Sequence, residues 1–400
     1  MTQQRVLLIP YSNVKEDPRV RHQIAWLANS GWTVDTLGLG EHPADTVSTH
    51  YALVAQRPWV RSRIGSMLIY GIFPSQARFQ FLMLDRIPKE LLVKIAAGAY
   101  DCIVFEDYHF LPLLTRRKIF TPLALKRQIH LDMFEYRDPR LKLTSVRRLL
   151  TDRYYRWRRA LIGHPAIDTR TTVASRIAEL YVDDFGVKLP TIVRNAPPPE
   201  NLTPSEVSDD NIKLVFHGMA SWARGFREIF AALPLIDRRF SMTFMLTGNQ
   251  SLIAEVKKLA EPFGDRVTFV SPVAMTEVSS RINEFDLEII FLPPKTANLE
   301  YVLPNKLFEA IQARMGVVIG QSPMMEQIVN EFDLGVIVPG WTSDDLAATI
   351  NSLTAERIRE LKNSAHQAAG VLNADAEGQT FLAALGEYSE IQGAPETLPR

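Results

Sequence analysis

The sequence predicts an α/β protein with two doubly wound domains. Short apolar segments of strand length alternate with amphipathic helical segments along nearly the whole chain, as they do in parallel sheets covered by helices. The alternation pauses once, at NAPPPENLTPSEVSDDN (195–211), where Pro, Ser and Asp accumulate as in interdomain linkers. A length of 400 residues is sufficient for about two or three domains, each with its own core.

The N-terminal half contains the first series of predicted strands. RVLLIP (5–10) is predicted to be a buried strand, and the helix that follows begins with Asp17 as its cap and Pro18 in the first position. Three apolar residues at helical spacing are expected to face the core: Val20, Ile24 and Leu27. Further strands are predicted at 33–39, 101–107, 127–133, 166–171 and 190–195.

The C-terminal half repeats this pattern. Its predicted strands, each followed by a helical segment, are 212–218, 242–248, 266–272, 287–293, 316–320 and 334–340. We therefore predict two Rossmann-like domains with a linker between them, and a C-terminal helix and tail that return to the first domain. The predicted boundaries are 1–198, 199–211, 212–374 and 375–400.

Composition points to a globular protein of a reducing compartment. Hydrophobic residues at 46% and charged residues at 22% are ordinary values. Because Cys102 is the only cysteine, a disulfide framework and a cysteine-rich zinc site are excluded. The start, MTQQRVLLIPYS, is predicted to be a strand rather than a signal peptide, and no apolar run approaches the roughly eighteen residues of a spanning helix. We expect a cytoplasmic protein that is at most peripheral on the inner face of the membrane.

The net charge is zero, but the two halves of the chain carry opposite charge. Residues 1–200 contain 29 Lys and Arg against 19 Asp and Glu, whereas residues 201–400 contain 16 against 26. In the basic stretch 147–159, Trp and Tyr lie among arginines, a mixture that suits anionic lipid headgroups. A solvated helix face without a partner is the alternative. Nucleic acid is a rival partner that we do not predict, since no nucleic-acid-binding motif accompanies the stretch.

Several kinds of catalytic site are disfavoured by missing motifs. The loop YSNVKEDP (11–18) contains no glycine, and HGMASWARG (217–225) has the wrong spacing for G-x-G-x-x-G, so a nicotinamide or flavin cofactor is not expected. A phosphate-binding P-loop and a G-x-S-x-G nucleophile elbow are also missing. Since the eight histidines show no metal-ligand spacing, no metal is expected.

VLPNKLFEAIQA (302–313) is the segment with the clearest chemistry. Pro304 suits the first helical position, and four residues would form the buried stripe: Leu307, Phe308, Ile311 and Met315. The N–H groups of the first turn, near Asn305, and the charge of Lys306 could hold a diphosphate. Glu309, one turn further, could accept hydrogen bonds from hydroxyl groups. The alternative is an ordinary capped helix with one surface ion pair.

Five segments resemble the GT-B glycosyltransferases, and more closely their large retaining family 4, which uses nucleotide sugars. They are DPRVRHQIAWLANSGWTVDTL (17–37), EDYHFLPLL (106–114), VRNAPPP (193–199), FHGMASWARGFREIFAAL (216–233) and NLEYVLPNKLFEAIQARMGVVIG (298–320). The last is the most specific. The resemblance implies two Rossmann-like domains that face each other across a cleft, with the acceptor in the first and the donor in the second.

The resemblance also implies roles for the donor-binding residues. Arg224, next to Gly225 at a helix start, would contact the diphosphate together with Lys306, while Glu309 would bind the ribose. The backbone near Pro272 and Val273 would meet the nucleobase. The implied donor-binding set is Gly218, Ser221, Arg224, Gly225, Pro272, Val273, Pro304, Asn305, Lys306 and Glu309.

Four polar residues near predicted strand ends of the first domain are candidates for catalysis, through orientation of the acceptor: Asp107, His109, Asp132 and Glu135. Ligands of open α/β sheets bind at such strand ends. Acidic residues there are also often simple helix caps, so this alternative stays open.

We predict transfer of a sugar from a nucleoside-diphosphate donor to a hydroxyl of a glycan or lipid-linked acceptor, with retention and without a metal. Surface polysaccharide or glycoconjugate synthesis is the expected process. Three residues depart from the family pattern: Met219, Tyr301 and Phe134 replace a basic residue, a glutamate and a histidine. They favour, as an alternative, a nucleotide-binding or partner protein with little or no turnover. A sugar-nucleotide epimerase of the same fold is a further alternative.

Overall fold

The computed structural model describes residues 3–120, 127–136, 146–294 and 297–393. They form two compact units, one comprising the described residues up to Arg194 and from Gly378 onward, the other Asn195–Glu377. Among the described residues, no helix is both long and apolar enough to cross a membrane.

The N-terminal unit is built on a parallel sheet of seven strands within the described residues. They are β1 (Arg5–Ile9), β2 (Thr33–Gly38), β3 (Val47–Ala52), β4 (Cys102–Glu106), β5 (Gln128–Met133), β6 (Thr169–Thr172) and β7 (Thr191–Ile192). Their order is β3-β2-β1-β4-β5-β6-β7. The predicted strands are thus confirmed, whereas β3 was missed because this edge strand mixes polar and apolar residues on both faces.

Seven helices among the described residues lie entirely within this unit: α1 (Pro18–Asn29), α2 (Pro58–Arg61), α3 (Arg63–Gly71), α4 (Ser75–Leu82), α5 (Lys89–Ala96), α6 (Val146–Ala160) and α7 (Ser175–Phe185). α1 starts as predicted, because the side chain of Asp17 accepts hydrogen bonds from the N–H groups of Arg19 and Val20, and Pro18 follows the cap. The three predicted core residues of α1 are buried.

The C-terminal unit contains the second parallel sheet, with six strands among the described residues. They are β8 (Ile212–Met219), β9 (Phe240–Thr247), β10 (Val267–Val270), β11 (Leu287–Ile290), β12 (Gly316–Ile319) and β13 (Gly335–Ile337), in the order β10-β9-β8-β11-β12-β13. Its helices are α8 (Phe226–Ala232), α9 (Gln250–Ala260), α10 (Val278–Ile282), α11 (Ala297–Glu300), α12 (Asn305–Gln312), α13 (Pro323–Phe332), α14 (Ser343–Asn351) and α15 (Ala355–Ala368).

Short 3-10 turns complete the described elements: Leu84–Arg86, Leu111–Thr115, Leu161–Gly163, Trp222–Arg224, Glu261–Arg266 and Met275–Glu277. The last helix, α16 (Ala374–Gly393), begins in the C-terminal unit and continues into the N-terminal unit from Gly378.

The segment after Arg194 is extended and packs on the C-terminal unit. Arg314 donates to the carbonyl oxygens of Glu200 at 2.6 Å and Leu202 at 3.2 Å. The amide of Asn283 donates to the carbonyl of Thr203 at 3.0 Å. These bonds hold the proline-rich segment along the surface of its own unit.

Each sheet has one point where the direction of strand addition reverses. In the N-terminal unit it lies between β1 and β4, and in the C-terminal unit between β8 and β11. Loops that leave neighbouring strands in opposite directions open a crevice at the carboxyl ends, where open α/β sheets bind ligands. The two reversal points therefore indicate where a site would form in each unit.

Candidate functional site

The amino end of α12 meets the carboxyl ends of β8 and β11. Pro304 is the capping residue and Asn305 the first helical residue, so the sequence placed Pro304 one position too far into the helix. The predicted apolar stripe is buried: Leu307, Phe308, Ile311 and Met315. This stripe holds the helix on the core. At the reversal point the N–H of Leu307 donates to the carbonyl oxygen of Pro304 at 3.1 Å, whereas the N–H groups of Asn305 and Lys306 come before the first hydrogen bond of the helix.

Lys306 is buried at this point, with 5% of its surface exposed. Its Nζ lies 3.4 Å from the centroid of the Phe216 ring, and 3.7 Å from Oε1 of Glu288, which is beyond hydrogen-bond distance. Within the described residues Nζ has no hydrogen-bond partner. An anionic ligand would satisfy this buried donor.

Gly218, at the end of β8, leaves the space that Lys306 occupies. Its φ of +109° lies in the region that favours glycine. A Cβ at Gly218 would lie 3.1 Å from Cε of Lys306. Any larger residue would therefore displace the lysine side chain.

His217 lies between two carboxylates. Its backbone N–H donates to Oε1 of Glu288 at 3.3 Å, and its Nδ1 is 2.9 Å from Oε2 of the same residue. Its Nε2 is 2.8 Å from Oε2 of Glu309. Among the described residues, no partner is found for Oε1 of Glu309.

Two cations of the site have strongly shifted pKa values. Burial alone would lower the pKa of His217, but the charge and hydrogen bond of Glu288, with the hydrogen bond of Glu309, raise it to about 9. Burial lowers the pKa of Lys306 to about 8 against the opposing charge of Glu288, and the nearby charge of Arg224 adds to the lowering. At neutral pH, both side chains are therefore positively charged.

Arg224 ends the 3-10 turn Trp222–Arg224, which Ser221 caps by accepting a hydrogen bond from the N–H of Ala223 at 3.3 Å. Burial lowers the pKa of Arg224. No hydrogen bond or ion pair of its guanidinium is found in the described part of the chain. Gly225 has a φ of +70°, and a Cβ there would lie 2.4 Å from the carbonyl oxygen of Phe291, so only glycine fits at this start of α8.

The predicted donor residues of segments 218–225 and 304–309 therefore lie together at one edge of the sheet. Pro272 and Val273 follow β10, which is separated from β8 by β9. Pro272 lines a pocket of about 380 Å³ with Gly248, Lys257 and residues at the carboxyl ends of β9 and β10. Val273 is partly buried against the core.

His217 and Glu288 were not among the site residues predicted from the sequence. Glu288 is a fully buried acid inside the apolar strand β11, and such a charge requires a partner. His217 directly precedes a strand-end glycine. Both features were signals of a polar network, but pairing them required knowledge that β8 and β11 are neighbours.

In the N-terminal unit, Asp107 and His109 come together after β4. Asp107 has a φ of +64°. Its Oδ1 accepts from the N–H of Tyr108 at 2.6 Å, and its Oδ2 lies 3.2 Å from Nδ1 of His109. The His109 ring stacks on Tyr11, which follows β1, and on Tyr108. This pair thus lies at the β1–β4 reversal point, where its predicted role places it.

Asp132 lies inside the sheet and is fully buried. Its carboxylate accepts two hydrogen bonds from Arg19 and one each, at 2.7 Å, from Gln23 and Thr171. Burial would raise the pKa of Asp132, but the charge and hydrogen bonds of Arg19 lower it. Since its acceptor positions are used within the protein, Asp132 joins α1 to β5 and β6, and an acceptor-orienting role does not fit its position.

Glu135 follows β5 and is half-buried. Its carbonyl oxygen accepts from the hydroxyl of Tyr181 at 3.3 Å. Burial raises the pKa of Tyr181 well above its usual range, and the charges of Asp107 and Glu135 add to this shift. The structure therefore brings Asp107, His109 and Glu135 to the same side of the unit, around Tyr181.

Residues 211–356 match the family model of the Glycosyl transferases group 1. The matched residues lie within the C-terminal unit. The match covers the cluster around His217, Lys306 and Glu309. No curated protein sequence matches the chain.

Solved structures resemble the whole chain. Sucrose-phosphate synthase from Thermosynechococcus elongatus has a TM-score of 0.65 at 14% identity, and the match covers 97% of this chain and 100% of that one. A glycosyltransferase from Rickettsia africae has a TM-score of 0.64 at 11% identity, covering 99% and 100%. HepE of Anabaena, in complex with UDP and glucose, has a TM-score of 0.60 at 13% identity, covering 96% and 100%. These likenesses show that the chain has the GT-B fold, and the family match shows a glycosyltransferase segment within it, at residues 211–356.

The three departures from the family pattern differ in exposure in this glycosyltransferase. Met219 and Phe134 are exposed, by 56% and 41%, whereas Tyr301 is half-buried. Met219 ends β8 beside Gly248, where a Cβ would lie 3.3 Å from its Cγ. An apolar side chain thus faces solvent at the position where the resemblance leads one to expect a cation.

The basic stretch 147–159 forms most of α6, but it is less accessible than the sequence indicates. The side chains of 147–150 lie outside the described residues. Arg153 and Arg156 are exposed, whereas Arg158 and Arg159 are buried. The Arg158 guanidinium lies over the rings of three tyrosines: Tyr108, Tyr154 and Tyr155. Half of the four described arginines therefore support the glycosyltransferase core instead of facing solvent.

Among residues 3–120, 127–136, 146–294 and 297–393, no group of three or more His, Cys, Asp or Glu side chains is arranged to hold a metal ion. Lys306 and Arg224 are two cations of the C-terminal unit that an anionic ligand could contact.

Proposed function

We propose that this glycosyltransferase moves a sugar from a nucleoside-diphosphate donor to a hydroxyl of a glycan or lipid-linked acceptor, with retention of anomeric configuration. Surface polysaccharide or glycoconjugate synthesis is the process that such a reaction would serve. The observation that carries the proposal is the buried ammonium of Lys306, which has no hydrogen-bond partner among the described residues. It lies where a diphosphate would also meet the first turn of α12 and Arg224.

The leaving diphosphate develops negative charge as the glycosidic bond breaks. Lys306, Arg224 and the N–H groups of α12 are fixed before the reaction, so they stabilise this charge without reorganisation. In this proposal these groups stabilise the leaving diphosphate without a metal ion. The E. coli trehalose-6-phosphate protein bound with UDP-2-fluoro glucose, at a TM-score of 0.66 and 10% identity over 99% of this chain and all of that one, supports UDP as a first probe.

Glu309 is proposed to accept hydrogen bonds from the ribose. It lies one turn beyond Lys306 on α12, and its Oε1 has no partner in the described part of the chain. The pocket beside Pro272 would receive the nucleobase edge, with Val273 supporting the loop. The nucleobase, the ribose and the diphosphate would then lie along the carboxyl ends of the strands.

On the acceptor side, His109 is proposed to orient the attacking hydroxyl. Asp107 lies 3.2 Å from Nδ1 of this histidine. The opposite ring nitrogen, Nε2, would contact the hydroxyl of the acceptor substrate. The stacked rings of Tyr11 and Tyr108 hold the imidazole in place, and such rings also suit the apolar face of a sugar. Glu135 would add a nearby carboxylate.

A peripheral position on an anionic membrane is proposed for the N-terminal unit. Three large apolar side chains on or just after α3 are exposed: Ile64 by 70%, Met67 by 66% and Ile72 by 72%. Arg57 and Arg61 nearby are also exposed, and the sequence has no Asp or Glu between Asp45 and Asp85. α6 packs against α3 and carries the exposed Arg153 and Arg156, of which Arg156 pairs with Asp152 at 2.6 Å. Cations around apolar side chains fit an anionic lipid surface.

The donor proposal is tested by calorimetry with UDP, GDP and ADP and with their nucleosides. The diphosphate is expected to bind at least about tenfold more tightly than its nucleoside, because charge-assisted hydrogen bonds hold the phosphates. Lys306→Ala should weaken diphosphate binding by about 1.5 to 3 kcal/mol, or roughly tenfold to a hundredfold, and leave the nucleoside unaffected.

Lys213→Ala is the matched control, because Lys213 is an exposed lysine near the opposite end of β8. Equal affinities of wild type for nucleoside and diphosphate would contradict the proposal. Assays with donor sugars then separate the alternatives. Binding without turnover over a panel of acceptors would favour a non-catalytic relative, and conversion of the donor alone would favour an epimerase.

A further inference from the structure

His217 is held from two sides in a way that fixes its orientation. Glu288 contacts it twice, once at the backbone N–H and once at Nδ1. Glu288 is fully buried on β11, the strand next to β8, so the carboxylate that orients the ring is itself held rigidly. The imidazole therefore points its Nε2 in one direction, toward α12.

Glu309 contacts the second ring nitrogen of this histidine, Nε2. Its Oε2 lies 2.8 Å from Nε2, so one carboxylate oxygen is bound within the protein and the side chain is held in one rotamer. Its Oε1 has no partner among the described residues, and the side chain keeps 14% of its surface accessible. A free glutamate on a helix would sample several rotamers, whereas this one presents a single oxygen in a fixed place.

We propose that His217 is a positioning residue for donor recognition: it fixes Glu309 so that Oε1 meets the ribose 2′-hydroxyl, and it thereby sets the preference for ribonucleotides over 2′-deoxyribonucleotides. This inference rests on the proposed donor site. A ribose hydroxyl donates well only to an oxygen already in the right place, because ordering a long side chain on binding weakens the interaction.

The chemistry of the two carboxylates supports this role. Ionised carboxylates only accept hydrogen bonds, so both ring nitrogens must carry a proton if both are to donate. The imidazolium then separates two like charges that would otherwise repel each other and move Glu309 away. A neutral ring could donate to only one of the two carboxylates, and the other carboxylate would face an unprotonated ring nitrogen.

The chain offers a sharp test, because Asn and Gln each imitate one end of the imidazole. In His217→Gln the amide reaches the position of Nε2 and can donate to Glu309. In His217→Asn the shorter amide can donate to Glu288 but not to Glu309. Both changes remove the same ring and the same charge, so they differ mainly in whether Glu309 keeps its donor.

The measurement is calorimetry with UDP, GDP and ADP, each beside its 2′-deoxy counterpart, using the pair that wild type binds most tightly. Wild type is expected to prefer the ribonucleotide by about tenfold or more. His217→Gln should keep most of this preference. In His217→Asn the ratio of the two affinities should fall close to one, while affinity for inorganic pyrophosphate stays within about twofold of wild type.

The outcomes separate this inference from the proposed function. If wild type binds none of the diphosphates, the donor site itself is wrong and the inference is overturned with it. If wild type binds a diphosphate but does not distinguish ribose from deoxyribose, the ribose role of Glu309 is wrong, and the inference is overturned while the diphosphate site stands. If wild type discriminates and His217→Asn discriminates equally, the donor site stands and the positioning role is overturned.

A measurement on wild type covers the case in which His217→Asn fails to fold. With histidines labelled with ¹⁵N, the His217 signal should show both ring nitrogens protonated at pH 7.5, with and without the bound nucleoside diphosphate. A neutral ring with unprotonated Nε2 in the complex would overturn the inference, because that nitrogen could then not hold Glu309.

Discussion

Lys306 is a buried lysine whose environment stabilises its charge only partly. Glu288 is its nearest carboxylate at 3.7 Å, but Glu288 already accepts two hydrogen bonds from His217. The ring face of Phe216 provides a weaker, non-directional attraction. The ammonium is thus held in place while its hydrogen-bonding capacity is left for another group, as a diphosphate site requires.

This arrangement predicts how diphosphate binding depends on pH. Burial lowers the pKa of Lys306 to about 8, so the side chain is charged below pH 8 and neutral above it. Affinity for the preferred nucleoside diphosphate should therefore be constant up to about pH 7.5 and fall as the pH rises through 8. Between pH 7 and 9 the loss should be about tenfold if only the charged form binds, as measured by calorimetry.

Lys306→Arg provides the comparison, because a guanidinium stays charged throughout this range. Its affinity should be lower than that of wild type, since the longer group fits the same space less well, but nearly independent of pH. His217, with a pKa of about 9, remains mostly charged up to pH 8.5, so the first part of the decline belongs to Lys306. A flat wild-type profile from pH 6.5 to 9 would contradict the assignment.

The extent to which the sequence predicted this cluster follows from the distance between its members along the chain. Lys306 and Glu309 lie within one helical turn, so their proximity could be derived from helix geometry. His217 and Glu288 are separated by 71 residues, and no local pattern connects them. Asp132 was misjudged for the same reason, since its partner Arg19 is 113 residues away.

Among the helices and strands, those with a uniform pattern were the most predictable. α1 has a cap, a proline and an apolar stripe, and all three form as predicted. β3 was not predicted, because an edge strand needs no continuous apolar run. α6 was predicted as an accessible basic face, but its pairing with α3 and α4 buries part of it, which composition alone does not reveal.

α2, α3 and α6 together predict binding to anionic membranes. Vesicles with anionic lipid should sediment wild type at low salt and less of it at high salt, because each accessible cation contributes about 1 kcal/mol that salt screens. Changing Ile64, Met67 and Ile72 to Ser should reduce binding at least about tenfold, since their apolar surface could no longer enter the lipid interface. Arg153→Gln with Arg156→Gln should weaken binding at low salt.

Val93→Ser with Leu189→Ser is the matched control for the apolar change. Both residues belong to the same unit, and each is 66% exposed, but they lie outside the surface formed by α2, α3 and α6. If the control loses binding as strongly as the triple serine variant, the effect is nonspecific. If wild type stays in the supernatant at low salt, the surface has another role.

Two described segments that are far apart in the sequence share the N-terminal unit. Residues 378–393 belong to the unit that contains the N-terminal sheet. The ring of Phe381, fully buried, lies 5.6 Å from the Trp26 ring and 5.4 Å from the His130 ring. The carbonyl of Leu385 accepts a hydrogen bond from the side chain of Gln128 at 2.9 Å. This part of α16 therefore belongs to the core of the N-terminal unit.

These contacts predict that Phe381→Ala destabilises the N-terminal unit selectively. Removing a fully buried phenylalanine should lower the free energy of unfolding of that unit by about 3 to 5 kcal/mol, because contacts with Trp26 and His130 are lost and a cavity remains. Hydrogen exchange measured by mass spectrometry should accelerate in peptides from α1 and β5. Peptides from β8, β11 and α12 should keep their wild-type protection.

Phe240→Ala supplies the reciprocal variant, because Phe240 is equally buried at the start of β9 in the other unit. It should accelerate exchange in β8 and β9 and leave α1 and β5 unchanged. Adding the preferred nucleoside diphosphate should raise protection around α12 in Phe381→Ala as in wild type, because the donor site lies in the unaffected unit. Acceleration in β8 and α12 by Phe381→Ala as large as that in α1 and β5 would mean that the two units unfold as one, and the selective effect would then be wrong.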